Sequence, residues 1–596
     1  MAAGTGAPRS KSERSVSDAE APMGVATTRS QERVLASLGK LGSAPIRPEC
    51  VEDVPNGGVL CALPALVALG LLEHNAKHFS MPAGFYPVES VFLTLGFAAL
   101  ARVPSLECLR YEPQGEWGKL LGLDRLPEVK TLRNKVAELT ADREKVGEWS
   151  RELAVNWMAE EQSEMAGTLY IDGHVRVYHG KLTDLPRRYV ARQKLCLRGT
   201  TDYWVNAMDG KPFFVISKAV DPGLIKMLQD SIVPRLLEDV PGQPTAGQLA
   251  SNRRLARFTL VFDRAGYSPE FFEWLWERRI AMITYRKAPE EVWEACEFVE
   301  RKVRLVHGEE VTLRLAEQGV RLRNGFWVRE IRSLESDGHQ TSMVSTDYTS
   351  GLEETAARMF SRWCQENFFR YMAEHYGLND LVEYGTEALP DTTVLVNPAW
   401  RRADAAVRRE WAQLNREQVK FNALEVGEGM EPEAVARLEI QRGKQLERIG
   451  EHRTRLEELK KARKATPYHV SLGELPEGER FEQLKPTRKH FLDTIRLIAY
   501  RAETALVLLA RESMARLDDA RALVRQLFTS SVDLSPDEEA KTLTVRVHRF
   551  ATAAHDTVLE HLCGELTATE TLFPGTKLRL IFEPVGATQF PRRQES

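Results

Sequence analysis

The chain has 596 residues, 43% of them hydrophobic, enough for about three or four domains with real cores, which excludes a disordered protein. Lys plus Arg total 81 against 85 for Asp plus Glu, a net charge of −4, so no global basic signal marks a nucleic-acid binder and any such surface must be a local patch. The seven cysteines, Cys50, Cys61, Cys108, Cys196, Cys296, Cys364 and Cys563, form no C-x-x-C pair, which excludes a zinc ribbon or a disulfide framework and suits a reduced, cytosolic setting.

Residues 1–30 are rich in Ala, Gly, Ser and Arg without periodicity and read as a disordered tail lacking the apolar core of a signal peptide. Residues 31–160 read as helical. The apolar run Val59 to Leu72 contains Pro64 and is too short to span a membrane, so a buried helix is expected there. In LPEVKTLRNKVAELT, Val129, Leu132, Val136 and Leu139 fall at helical spacing, leaving Lys130, Arg133 and Lys135 for a solvated face or a DNA groove.

From about residue 165 the period changes to two. In GTLYIDGHVRVYHG, Leu169, Ile171, Val175 and Val177 alternate with Tyr170, Asp172, His174, Arg176 and Tyr178, turning Asp172 to a polar face. A solvated strand face places acids there routinely, so Asp172 gains meaning only if other acids converge on it. His174 and His179 are spaced poorly for joint zinc ligation. KLCLRGTTDYWVNA and KPFFVISKA follow, joined at Asp209-Gly210, a strong hairpin signal. Next come a helical stretch, PGLIKMLQDSIVPRLLEDV, a fourth strand, RFTLVFD, that ends on Asp263, a helix, SPEFFEWLWERR, and a fifth strand, IAMITYR.

Strand character returns over about 305–348, and a helix expected from Leu352 carries MFSRWCQENFFRYMAEH. Residues 401–465 are highly charged; Leu446, Ile449 and Leu456 make a partial heptad that Arg453 and Lys460 interrupt, which favours a helical hairpin or arm over a long coiled coil. Residues 466–596 read as a mostly helical domain with TRKHFLDTIRLIAYRAETALVLLARE as its core helix. Within KLTDLPRRYVARQKLCLR, the cations Lys181, Arg187, Arg188, Arg192, Lys194 and Arg198 face a single Asp184, a patch suited to DNA backbone or to an ordinary solvated strand.

Three antiparallel strands, a helix, a strand, a helix and a strand is the order of an RNase H-like fold, in which one acid projects from the first strand, a second ends the fourth and a third comes from a later helix. With Asp172 and Asp263 in the first two positions, the chain resembles the DDE transposases of bacterial insertion sequences, in the group with a β-rich insertion between the second and third acids. That group carries the signature Y-x2-R-x3-E-x6-K, and residues 359–373, MFSRWCQENFFRYMA, match it at Arg362 and Glu366, with Met359 and Ala373 in place of Tyr and Lys. In the family those two positions contact DNA near the cleaved end, and Arg370 or His375 is a substitute cation here.

The resemblance implies an α/β RNase H-like catalytic core over 165–400 with its insertion at about 305–348, flanked by an N-terminal helical domain over 31–160 that binds DNA ends and, beyond the arm, the C-terminal helical domain. It implies Asp172, Asp263 and Glu366 as catalytic residues and ligands of two Mg²⁺ ions, which Mn²⁺ replaces, with Asp172 bridging both metals. Arg362 and Arg370 join Arg187, Arg188, Arg192 and Lys194 as DNA-binding residues. Trp327 in the insertion is either a core aromatic or a platform for an unpaired base, as an aromatic from this insertion is in some relatives.

The function so implied is a transposase that binds terminal inverted repeats, cuts DNA ends and transfers strands, working on double-stranded element ends and target DNA as a homodimer when synapsed, with no membrane association, in the bacterial cytoplasm at the nucleoid. An RNase H-like endonuclease without strand transfer and a domesticated, non-catalytic DNA-binding or scaffold protein remain as alternatives.

Overall fold

A computed structural model describes residues 25–586 apart from 162, 179–184, 186, 191–194, 219–220, 290, 307, 381–384, 425–431 and 515. The N-terminal part holds a short strand β1 (Val51–Val54) and the helices α1 (Val88–Leu100), α2 (Val129–Leu139) and α3 (Arg143–Glu160). Helix α2 buries Val129, Leu132, Val136 and Leu139, the stripe its sequence spacing predicts. The apolar run near residue 60 is buried but divides into a 3₁₀ turn, Gly57–Ala62, and a short α-helix, Leu63–Ala68, with Pro64 in the first turn, where its missing N–H costs nothing.

The central sheet contains β2 (Thr168–Val177), β3 (Arg187–Val190), β4 (Leu195–Asn206), β5 (Pro212–Lys218), β6 (Thr259–Phe262), β7 (Ala281–Tyr285), β8 (Val299–Arg304), β9 (Glu310–Arg321), β10 (Trp327–Leu334) and β11 (Gln340–Ser345), with α4 (Pro269–Glu277) between β6 and β7. β4 joins β5 through Gly210, whose φ of 88° is the left-handed conformation the Asp-Gly turn demands. β2 pairs antiparallel with β4 and parallel with β6, β4 pairs antiparallel with β5, and β6 is parallel to β7. The order β5-β4-β2-β6-β7 therefore puts β2 at the centre, and β11, β10, β9 and β8 extend the sheet beyond β7. β8 starts at Val299, ahead of the strand character expected from about 305, and β8 to β11 continue the same sheet.

Beyond the sheet lie α5 (Leu352–Phe360), α6 (Arg362–His375), α7 (Pro398–Asn422), α8 (Pro432–Ala465) and α9 (Pro486–Arg511). The single helix expected from Leu352 is two, parted at Ser361, whose hydroxyl turns back to the Ala357 carbonyl at 2.8 Å. α7 and α8 pack side by side in opposite directions: Asp404 pairs with Arg463 at 2.7 Å and Glu410 with His452 at 2.6 Å, while Val407, Leu414, Ile449 and Leu456 form the seam. Leu446 of the partial heptad lies outside it, 53% exposed.

α9 is the central post of the molecule, packed on α1, α3 and β5. Beneath it Arg176 of β2 pairs with Asp202 at 2.6 Å and Asp493 at 2.7 Å, all three buried. The two ends of the chain share one sheet: β1 runs antiparallel to Val532–Asp537, which continues to Thr542–Val547 and Arg579–Pro584. Their approach is so close that a Cβ on Gly58 would meet the Leu527 carbonyl oxygen at 1.8 Å. Among the described residues no helix is long and apolar enough to cross a membrane.

Candidate active site

The polar face of β2 is covered rather than solvated. Tyr170 and Arg176 are fully buried on it: the Tyr170 hydroxyl donates to the Arg358 carbonyl of α5 at 2.5 Å, and Arg176 lies against Asp493 of α9. Asp172 stands between them. Its side chain keeps 22% of its surface in a crowded setting, and its Oδ1 accepts from its neighbour's amide, Gly173, at 2.8 Å. Burial pushes its carboxyl up to about 6; Arg362 opposes that rise, while the charges of Asp263 and Glu366 add to it. Asp263 and Glu366, the other two acids picked from sequence, are therefore both within electrostatic reach of Asp172.

Asp263 reaches this place because β6 runs parallel to β2, so both strands present their far ends on the same side. Its side chain caps the following 3₁₀ turn by accepting from the Ala265 amide at 2.8 Å, and its carbonyl accepts from the Thr284 hydroxyl at 3.1 Å. Tyr285 ends β7 close by, where burial raises its hydroxyl and the charges of Arg362 and Glu366 both act on it.

Glu366 is placed by the packing of α6. Gln365, Phe368, Phe369 and Met372 form the buried stripe of that helix, which turns Arg362 and Glu366 toward the acids. Gln365 donates through Nε2 to the Tyr170 carbonyl at 3.1 Å and to Asn206 Oδ1 at 3.0 Å. A glutamine on an otherwise apolar stripe was visible in the sequence, but nothing there pointed to β2 as its partner. Arg362 lies 3.4 Å from Asp172 through Nη2 and 3.5 Å from Glu366 through Nη1, one guanidinium touching two of the three carboxylates.

The competing helix acids are engaged elsewhere. Glu353 pairs with Arg301 at 3.4 Å, Glu354 with Arg358 at 2.5 Å, and Glu374 approaches His375 at 3.7 Å. Met359 and Ala373, the departures from the signature, are packing positions: Met359 is buried against Tyr170, Met208, Val261 and Ile283, and Ala373 lies against the main core. Arg370 is exposed one turn beyond Glu366 and its guanidinium meets only Asn367, at 3.1 Å, among the described residues. His375 is a poor substitute cation, because burial and then the charge of Arg525 hold its pKa below the usual histidine value.

The remaining expected residues lie in several places or outside the described residues. Lys181, Arg192, Lys194 and His179 lie outside the described residues, and Arg187 and Arg188 belong to β3, the outermost strand on that side of the sheet. His174 stacks on Phe369 with ring centres 5.4 Å apart and bonds Asn379 at 2.8 Å. Trp327 is not a core residue: it is 46% exposed in a cleft of about 780 Å³ lined also by Trp276, Phe326, Tyr348 and Arg254. The register sets Ile331 of β10 level with Asp263, so Trp327 lies four residues along and three strands across, roughly 20 Å away at ordinary strand rise and spacing.

The donor set suits a hard cation, since carboxylate oxygens are what Mg²⁺ selects. The geometry as it stands does not close on one: among the described residues no three Asp, Glu, His or Cys side chains group tightly enough to hold a metal ion. The cation between Asp172 and Glu366 is Arg362.

A family profile described as "Transposase protein" matches residues 24–586, nearly the whole chain. The chain therefore belongs to that transposase family. No curated protein matches it.

Proposed function

We propose that the chain is a DDE transposase of a bacterial insertion sequence, with an RNase H-like core formed by β2, β4, β5, β6 and β7 and an insertion carried on β8 to β11. The order β5-β4-β2-β6-β7, with only the β2/β6 and β6/β7 pairs parallel, supports the fold assignment. The observation that carries the function is that Asp263, at the end of β6, and Glu366, on α6, both act on Asp172 of β2, with Arg362 between Asp172 and Glu366, in a chain of a transposase family.

In this reading Asp172, Asp263 and Glu366 would hold Mg²⁺, or Mn²⁺ in its place, and the ion when bound would supply activation of the attacking oxygen and stabilisation of the leaving one. The residues of the chain supply the rest. The aspartates are held by backbone amides, Glu366 by the docking of α6 through Gln365, and Arg362 and Arg370 meet phosphate. Arg187, Arg188, Arg192 and Lys194 track the DNA backbone, and two copies of the chain hold two element ends for joining, in a bacterial cytoplasm.

The test is an end-joining assay: the purified chain, a duplex carrying the terminal inverted repeat of its own element, and a supercoiled target plasmid, in Mg²⁺ and then in Mn²⁺. Cleavage at the repeat followed by joining of its 3′-hydroxyl to the plasmid is the expected result. Cleavage without joining would leave the endonuclease reading, and neither reaction in either metal would sink the proposal.

A further inference from the structure

The acids of the proposed site do not close on a metal among the described residues, and the Arg362 side chain stands between two of them. Arg362 is only 15% exposed, and its two terminal nitrogens are spent on Asp172 and Glu366 at 3.4 and 3.5 Å, the long end of ion-pair geometry. Its third nitrogen, Nε, is buried without a hydrogen-bond partner among the described residues. Buried arginine ion pairs are short, and a bidentate fork on one carboxylate or phosphate is the strongest form; Arg176, also shared between two carboxylates, makes both contacts at 2.6 and 2.7 Å. This one is stretched between two carboxylates with a donor idle. It also opens α6, where a cation faces the positive end of the helix dipole, so the acids and not the helix keep it in place.

We propose that Arg362 is a gate: it occupies the cation position between Asp172 and Glu366 and keeps the site closed to divalent metal until a DNA phosphate draws the guanidinium away. A phosphate oxygen pair accepts from Nε and a terminal nitrogen together, satisfying the idle donor and replacing two long ion pairs with one bidentate pair. Release of Arg362 leaves Asp172 and Glu366 without their counter-charge beside Asp263, which is the state with the greatest affinity for a divalent cation. Metal loading and DNA binding are thereby coupled, each raising the affinity for the other by the same factor. The gate prevents the metal-loaded enzyme from forming away from DNA. This inference rests on the proposed reading of the three acids as metal ligands.

The experiment measures Mn²⁺ binding by electron paramagnetic resonance on the full chain, with and without a random-sequence duplex oligonucleotide, taking as the site's own signal the increment that Asp172→Asn abolishes. The wild type should bind Mn²⁺ at least tenfold more tightly with DNA than without it. Arg362→Gln should bind it without DNA about as tightly as the wild type with DNA, and Arg362→Lys, which keeps the charge, should stay closed. Equal wild-type affinity in both states, or an Arg362→Gln affinity no higher than that of the DNA-free wild type, overturns the gate while leaving the metal reading intact. An increment absent from every variant in both states overturns the metal reading as well.

Discussion

The side-chain amide of Gln365 donates to the backbone carbonyl of Tyr170 at 3.1 Å, tying the residue next to Glu366 to the strand two positions before Asp172. The same amide reaches Asn206 on β4, so one buried side chain sets the distance between helix α6 and the two central strands. This bond joins the helix that carries Glu366 to the strand that carries Asp172.

Gln365→Ala should cost about 2 kcal/mol of stability, since it removes a buried donor that serves two acceptors, the Tyr170 carbonyl and Asn206 Oδ1, at about 1 kcal/mol each. It should also reduce DNA cleavage by more than the drop in stability explains at a temperature where the variant is folded. Urea melts beside single-turnover cleavage separate the two; unchanged cleavage in a folded variant would show that α6 is held by its phenylalanines alone.

Asp172→Asn and Asp263→Asn should each abolish cleavage while binding of element ends stays near the wild-type level, because each removes a proposed metal ligand and no basic surface. Gel shifts and nicking assays on the same preparations give the comparison. Near wild-type nicking in either variant would refute the site.

Among the helix acids, only Glu366→Gln should lower cleavage by several orders of magnitude. Glu353, Glu354 and Glu374 pair with Arg301, Arg358 and His375, away from Asp172, so their glutamine variants should cut almost normally. An inactive Glu374→Gln beside an active Glu366→Gln would shift the register of the signature match.

DNA affinity should fall steeply with salt, and replacing Arg187, Arg188 and Arg192 with Ala should lower the slope of log affinity against log salt by about 2 to 3, roughly 0.9 for each phosphate that is no longer neutralised. Filter binding from low to moderate salt measures it. An unchanged slope means that these three point away from DNA.

His490 offers a pH test of the fold. Its ring pairs with Ser150 at 3.1 Å, and burial, followed by the charge of Arg235, holds its pKa down to about 4, with Asp493 partly offsetting. An unfolded histidine takes up its proton near pH 6.5 and the folded one only near pH 4, so between those values the unfolded chain binds more protons. Stability contributed at neutral pH is therefore lost as the pH falls through that window, by about 3 kcal/mol at most. The difference in unfolding free energy between the wild type and His490→Gln should shrink from pH 7 to pH 4.5, and a pH-independent difference would show that His490 titrates normally in the folded state.

Much of the sheet was legible in the sequence. The period-2 runs, the Asp-Gly hairpin and the strands RFTLVFD and IAMITYR are local patterns, and a local pattern survives without knowledge of the fold. The i,i+4 pairing of Arg362 with Glu366 was legible for the same reason. What covers a strand is not local. The alternation around Asp172 is the same whether water or a helix lies on the polar face, and only the packing of α5 and α9 decided that Tyr170 and Arg176 are buried. The break at Ser361 came from a side-chain bond back to Ala357 that periodicity does not register. Strand register, which depends on partners far away along the chain, carried Trp327 far from the acids and joined the two ends of the chain in one sheet. The sequence by itself determined which residues are acids, cations and strand formers; the tertiary structure alone decided that Asp172, Asp263 and Glu366 share one neighbourhood and that Arg362 stands between two of them, because distances across a fold follow from how helices and strands pack.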